Sequence, residues 1–221
     1  MVVKSVAIAL GVIAIVIAAA VAWMAGSAYV RAPKLVAELE RSGALPFTPD
    51  QLSRERLCAL LVVQDSTFYR HRGIGLAAGS PGHTTVTQAI GTWMLFDGFT
   101  PGRFRQRKVR LMIAALGLDA ALPKETQLRL FLNRSYFGEE ILGFPHAARA
   151  FFGKDLEDLS DAEFLRLLAM LDGPNRFHVI EQPEANAARV PMIREKVQRG
   201  CAAGCFEGAA PVPCDAPQAR R

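Results

Sequence analysis

The stretch Val62-Val63-Gln64-Asp65-Ser66-Thr67-Phe68-Tyr69-Arg70-His71-Arg72-Gly73 decides how the fold is interpreted. It places amide, carboxylate, aromatic and imidazole groups on an apolar segment with a helical pattern, and a glycine follows them. Because a polar group turned into a protein interior costs free energy unless it is bonded, such a cluster indicates the lining of a cleft. We therefore expect a cleft at the end of this helix.

The helix has two candidate start signals. Thr48 is placed to cap a helix that begins at Pro49, with a glutamine three residues on, and Ser53 is a second candidate cap. From either start, three leucines fall on one face: Leu57, Leu60 and Leu61. The pattern predicts that the helix continues to about His71 and is broken by Gly73.

The N-terminal region predicts a membrane anchor. Residues from Ser5 to Val30 carry no charge, and about 26 helical residues at about 1.5 Å each would cross a hydrocarbon core of roughly 30 Å. The alternative is a cleaved secretory signal, which the small residues Ala25-Gly26-Ser27-Ala28 would permit. Because the apolar run is long for a signal sequence, we expect an uncleaved transmembrane helix.

Composition divides the 221 residues into four predicted parts. These are a transmembrane anchor at 1–31, a connector at 32–51, a domain at 52–199 and a tail at 200–221 that is rich in Cys, Pro and Ala. The composition of the tail predicts disorder. Its cysteines are spaced too irregularly for a zinc site, and whether they form a bridge stays open.

Positive charge concentrates in one segment, although the net charge of the chain is only +5. The segment contains five basic residues: Arg103, Arg105, Arg107, Lys108 and Arg110. Such a patch suits phosphate or an anionic membrane surface. Nucleic acid is not expected as a partner, because no basic strand interleaved with aromatic residues is present.

The rest of the chain predicts helices and almost no strands, so the fold class is mainly α. Helices are expected at 105–122, 124–136, 146–152 and 183–199, and a capping box from Ser160 to Glu163 opens another that runs through Leu171. Within 105–122, apolar residues spaced at three and four define one helix face: Val109, Ile113, Leu116 and Ala120.

Several motifs, in the same order along the chain, resemble those of the peptidoglycan glycosyltransferases of family 51. This family includes the transglycosylase domain of penicillin-binding proteins and the monofunctional transglycosylases. Its first motif, Glu-Asp-x-x-Phe-x-x-His-x-Gly, corresponds to 64–73, and its second, Gly-Gly-Ser-Thr-Ile-Thr-Gln-Gln, to 82–89. Its third, Arg-Lys-x-x-Glu, corresponds to 107–111, and the fourth and fifth begin at Leu132 and Leu159.

This resemblance implies a lysozyme-like helical glycosyltransferase domain behind a single N-terminal transmembrane helix. It also implies lipid II, a glycan precursor linked to undecaprenyl pyrophosphate, as the substrate. In the family's reaction a sugar hydroxyl of the acceptor attacks the anomeric carbon of the donor strand, and inversion gives a β-1,4 link. A general base must take the hydroxyl proton, and cations must hold the departing pyrophosphate.

Both acidic positions of the family are changed in this chain. Gln64 replaces the glutamate that acts as general base, and Leu111 replaces the third-motif glutamate, which supports another sugar or phosphate site. An amide does not accept a proton near neutral pH, and loss of a positioned base costs roughly 10²–10⁴-fold in rate. Misalignment does not explain the changes, because Phe68, His71 and Lys108 fix the register on both sides.

Neighbouring positions depart from the family as well. Thr92 and Trp93 stand where the family has lysine and asparagine, His83 replaces a glycine, and Arg129 replaces an acid. One cation near the phosphates is therefore lost. No resident cofactor or metal is expected, since the loss of both carboxylates weakens the case for a divalent metal ion at the pyrophosphate.

The resemblance assigns roles to the matching positions. The family's catalytic positions are occupied by Gln64, Asp65 and Leu111. Substrate binding is expected at seven residues: His71, Thr85, Thr87, Gln88, Arg107, Lys108 and Asn133. Structural alternatives exist for two of them, because His71 can hold the helix end and Asn133 can cap a helix.

Three functional hypotheses follow. The first is a single-pass protein of the bacterial inner membrane whose extracytoplasmic domain binds lipid II or nascent glycan with impaired polymerase activity. The second is an active glycosyltransferase that uses Asp65, His71 or a recruited acid such as Asp97 or Glu139. Against Asp65, helical neighbours are rotated by about 100°, so it would face away from the position of Gln64. The third is a regulatory partner of cell-wall synthases or divisome proteins.

Overall fold

The computed structural model describes residues 2–75, 84–96, 104–138 and 141–202. In chain order its helices are α1 (Val2–Arg41), α2 (Arg54–Gln64), α3 (Val86–Phe96), α4 (Phe104–Ala121), α5 (Lys124–Arg134), α6 (Phe144–Phe152), α7 (Asp161–Met170) and α8 (Pro183–Ala202). In these ranges no strand forms, and β pairing is limited to an isolated antiparallel bridge between Tyr136 and Leu142. The predicted mainly α class is confirmed.

Helix α1 is longer than the predicted anchor. Instead of stopping near residue 31, it passes through Pro33 and ends at Arg41. From Ser5 onward it is long and apolar enough to cross a membrane, and its first part exposes large apolar side chains such as Trp23, which is 75% exposed. The connector predicted for 32–51 therefore begins as the last turns of α1.

The second part of α1 packs against α4. One face of α1 buries a residue at every fourth position: Ala28, Ala32 and Val36. The two helices approach so closely that a Cβ at Gly117 of α4 would collide with the carbonyl oxygen of Ala25. This packing offsets the backbone hydrogen bond that Pro33 removes, and it makes α1 part of the domain core.

The predicted apolar face of α4 is turned outward. Val109 is 58% exposed and Leu116 is 42% exposed. The buried face consists of smaller residues and one leucine: Ala114, Ala115 and Leu118. Apolar residues occur on both faces of α4, so their spacing alone does not identify the packed face. Close contact with α1 requires the face with the small side chains.

Both predicted start signals before α2 are used. The backbone N–H and hydroxyl of Thr48 donate to Gln51 Oε1, at 2.7 and 3.1 Å, and close a short 3₁₀ turn over Pro49–Gln51. Ser53 then caps α2, since its hydroxyl oxygen accepts the N–H of Arg56 at 3.3 Å.

Helix α2 ends at Gln64, about two turns before the predicted end near His71. Asp65 leaves the helical conformation, with φ −162° and ψ 78°. Turns follow as far as Gly73, whose φ is +83° and whose missing Cβ lets it lie against the carbonyl oxygen of Ala115 in α4. The spacing of apolar residues predicted a longer helix. It could not indicate the early end, because that end depends on the hydrogen bond that the Asp65 side chain makes with the backbone of Val86.

Helices α4 to α8 lie within three residues of their predicted bounds. The capping box at the start of α7 is confirmed: the N–H of Ser160 donates to Glu163 Oε2 at 2.7 Å, and the N–H of Glu163 donates back to Ser160 Oγ at 3.3 Å. Asp97, Glu139, His83 and the tail beyond residue 202 lie outside the described residues.

The close approach of α1 and α4 makes a testable prediction. We expect Gly117→Leu to destabilise the protein by about 1–3 kcal/mol, because the new side chain has no room beside Ala25. The measurement is the thermal unfolding midpoint of the detergent-solubilised protein. Gly26→Leu is the matched control, since nothing lies within 4 Å of a Cβ built at Gly26. Equal midpoints for the two variants would contradict the packing.

Candidate functional site

A cleft lies where the end of α2 meets the entry to α3 and the middle of α8. Its lining consists of Val62, Val63, Gln64, Asp65, Ser66, Thr67, Gly75, Thr84, Thr85 and Lys196. The stretch on which the fold interpretation depended therefore supplies most of this lining. The cleft contains Gln64 and Asp65, two of the positions to which the resemblance assigns catalysis.

The Asp65 carboxylate joins α2 to α3. It is buried, and its Oδ2 accepts the backbone N–H of Val86, the first residue of α3, at 3.0 Å. His71 Nε2 lies 2.8 Å from the same oxygen and 3.0 Å from Oδ1. A negative charge at a helix N-terminus is favourable, so the carboxylate is held by both the imidazole and the helix. In this arrangement it is committed to structural contacts.

His71 is enclosed on several sides. Its side chain is 7% exposed, and Nδ1 is buried with no hydrogen-bond partner in the described part of the chain. The Lys124 ammonium donates to the His71 carbonyl at 3.0 Å and to Asp119 Oδ1 at 2.6 Å. The same ammonium lies 4.5 Å from the centre of the Phe68 ring. These contacts favour a structural role for His71, in which it holds the end of α2, over a role in substrate binding.

Gln64 is the last residue of α2, and its side chain reaches across the cleft. Nε2 donates to the backbone carbonyl of Thr84 at 2.7 Å. Thr84 lies two residues before α3. The amide at the family's base position is therefore hydrogen-bonded as a donor, a role that an ionised glutamate could not fill.

Three of the predicted binding residues are buried, and their polar groups have partners within the protein. Thr85 and Gln88 form a reciprocal cap of α3, in which Gln88 Oε1 accepts the Thr85 N–H at 3.2 Å and Thr85 Oγ1 accepts the Gln88 N–H at 3.1 Å. The Thr87 hydroxyl donates to Gln127 Oε1 at 2.7 Å and is fully buried. Their predicted contact with substrate stays a prediction.

Asn133 connects α5 to the segment that follows α1. Its Oδ1 accepts the N–H of Phe47 at 3.0 Å, and its Nδ2 donates to the carbonyl oxygens of Phe47 and Arg129, at 2.7 and 2.8 Å. Because both ends of the amide are occupied and the side chain is buried, these contacts favour the structural alternative over the predicted substrate contact.

The third-motif segment lies on α4, next to α3. Leu111 is in contact range of α3, since a Cβ built at Gly91 would lie 2.9 Å from Leu111 Cδ1. The position at which the resemblance predicts the family's second carboxylate is therefore an apolar side chain packed near α3. Lys108 is half-buried on the same helix, and the Arg107 side chain lies outside the described residues.

Two other departures from the family have structural partners. The Thr92 hydroxyl donates to the Gln88 carbonyl within α3 at 3.0 Å. Trp93 stacks with the guanidinium of Arg134, whose carbon lies 5.3 Å from the ring centre. Among the described residues, no group of three or more His, Cys, Asp or Glu side chains is placed to hold a metal ion.

Lys196 of α8 is a cleft residue that the sequence interpretation missed. Its ammonium donates to the carbonyl of Val63 at 3.0 Å, near the end of α2. Partial desolvation lowers the pKa of Lys196, and the charge of Arg189 adds to this effect. The available signal was spacing: Arg189 and Lys196 are seven residues apart and so share a face of a helix.

Comparisons with known proteins give the relatives of this chain. A family model described as transglycosylase matches residues 33–198. Penicillin-binding protein 1A of Escherichia coli is 27% identical over 177 residues, which cover 74% of this chain and 20% of that protein. Penicillin-binding protein 1F of Bacillus subtilis is 28% identical over 171 residues, or 72% of this chain and 24% of that protein.

A shorter relative is covered almost completely. A Cupriavidus necator protein whose assigned name is that of a transglycosylase is 27% identical over 207 residues, 85% of this chain and 88% of its own length. By contrast, the chain spans only about a fifth of the length of the first penicillin-binding proteins that it matches. On the family match over 33–198, this chain belongs to the transglycosylase family, the peptidoglycan glycosyltransferases of family 51.

Proposed function

We propose that the protein is a membrane-anchored member of this family that binds lipid II or nascent glycan but polymerises it poorly. The domain stands on the extracytoplasmic side of the bacterial inner membrane, held there by α1. Its place is in cell-wall synthesis, where synthases or divisome proteins would be its neighbours. Lipid II is the substrate that the family implies, and the cleft at the end of α2 is its binding site.

One observation carries the proposal: the cleft retains polar and cationic groups but has no carboxylate available as a base among its described lining residues. The amide of Gln64, the hydroxyls of Ser66 and Thr67 and the ammonium of Lys196 line it. These groups suit sugar hydroxyls, acetamido groups and an anionic group of a glycan precursor. The proposed binding therefore uses groups that the chain still has.

The carboxylate that does line the cleft, Asp65, is held by the N–H of Val86 and by His71. To act as a base it would have to give up contacts that join α2 to α3. A buried N–H and an imidazole would then lose their partner, at a cost of about 1–3 kcal/mol for each group. This argues against the alternative in which Asp65 replaces the family's glutamate.

The first test uses the full chain in detergent with lipid II as the probe. We expect saturable binding of fluorescent lipid II, together with strand polymerisation at least roughly 10²-fold slower than that of a family member with its glutamate, as loss of a positioned base predicts. Absence of lipid II binding would refute the proposal. Polymerisation at the rate of that family member would contradict the impaired activity and establish the active enzyme instead.

Lys196 allows a sharper test of the binding site. We expect Lys196→Met to weaken lipid II binding by roughly 10- to 150-fold, because a charge-assisted contact contributes about 1.5–3 kcal/mol. Arg199→Gln is the matched control: Arg199 lies one turn further on α8, is largely exposed and pairs with Glu195. Equal affinities of the Lys196→Met and wild-type proteins would place the ligand elsewhere.

A further inference from the structure

The hydrogen bond from Gln64 to Thr84 gives the residue at the family's base position a role that the family's glutamate cannot have. Nε2 of Gln64 donates to the Thr84 carbonyl at 2.7 Å. An ionised carboxylate only accepts hydrogen bonds, so a glutamate at this position would face the carbonyl oxygen without a donor. The contact depends on the replacement of the acid by its amide.

We infer that Gln64 is a positioning residue: its side-chain amide fixes the end of α2 to the segment that enters α3, and the substitution is a structural gain as well as a loss of the base. Thr84 immediately precedes the capping pair Thr85 and Gln88. The Gln64 contact therefore lies beside the hydrogen bond between Asp65 and the N–H of Val86. Two consecutive residues, the last of α2 and the one after it, thus hold the N-terminus of α3.

The charged groups at the cleft do not replace the hydrogen bond from Gln64 to the Thr84 carbonyl. Lys196 donates to the Val63 carbonyl, on the α8 side. The Asp65 carboxylate is bound to His71 and Val86. A glutamate at position 64 would thus meet the Thr84 carbonyl directly, with Lys196 and the Asp65–His71 pair as the titratable groups around it.

The inference predicts a dependence on pH that a side chain without such a role would not show. A glutamate at position 64 is ionised at neutral pH and cannot donate to Thr84. Below its ordinary pKa of about 4.3 it is protonated, and its O–H can donate again. The destabilisation caused by Gln64→Glu should therefore be present at neutral pH and disappear as the pH falls.

The experiment measures the thermal unfolding midpoint of the full chain in detergent, without ligand, for Gln64→Glu, Gln64→Met and the wild-type protein at pH 7.5 and pH 4.0. At pH 7.5 we expect both variants to melt about 2–4 °C below wild type. At pH 4.0 the gap should shrink to less than half for Gln64→Glu, because most of that carboxyl is then protonated, and persist for Gln64→Met. Comparison with wild type at each pH removes the effects of pH that the variants share with the wild-type protein.

Gln51→Glu is the matched control. The Gln51 side chain accepts two hydrogen bonds from Thr48 through Oε1, so a carboxylate can replace it and its midpoint should stay at the wild-type value at pH 7.5. A Gln64→Glu midpoint equal to wild type at pH 7.5, or a gap unchanged at pH 4.0, would overturn the inference. Because no ligand is used, this result is independent of whether the protein binds lipid II.

Discussion

The buried carboxylate of Asp65 is the interaction on which the site depends. It receives the first N–H of α3 and the imidazole of His71, so it fixes where α2 ends, how the following turns run and where α3 begins. A buried charge is stable only when it is paired and hydrogen-bonded, and here the two partners come from different parts of the chain. The cleft exists because these elements meet at one side chain.

A second constraint sets how the domain is attached. Small residues on α1 and Gly117 on α4 bring the two helices into close contact, so the helix long enough to cross a membrane continues directly into the core. Arg129 strengthens this attachment, since its guanidinium donates to the carbonyl of Leu45 and pairs with Glu40 at 2.9 Å. Arg129, which stands where the resemblance predicts an acid, thus has a structural role in this chain.

Much of the fold could be predicted from the sequence, because caps and spacing are local signals. The capping box at Ser160 and the bounds of α4 to α8 follow from neighbouring residues. Two features could not be predicted in this way. The end of α2 depends on a bond from Asp65 to α3, and the packed face of α4 depends on its contact with α1. Both are tertiary constraints that override local pattern.

The candidate site could likewise be predicted only in part. The motifs predicted a cleft at 64–73, which has a distinctive order of residue types, and altered catalytic positions at Gln64 and Leu111. They did not indicate which polar residues face the cleft. Thr87, Gln88 and Asn133 are buried and their polar groups bond within the protein, whereas Lys196 enters the cleft from a helix outside the motifs. Residue type shows that a side chain can bind, and only packing shows what it binds.

The central claim, that Asp65 holds the site together instead of replacing the lost base, is tested most directly by the thermal unfolding midpoint of Asp65→Ala. Removal of the carboxylate leaves the Val86 N–H and the His71 imidazole without their shared partner, at about 3 kcal/mol for the two together, which predicts a midpoint roughly 6–12 °C below wild type. Asp158→Ala, at an exposed position, should melt with the wild-type protein. An Asp65→Ala protein that melts at the wild-type temperature would contradict the account.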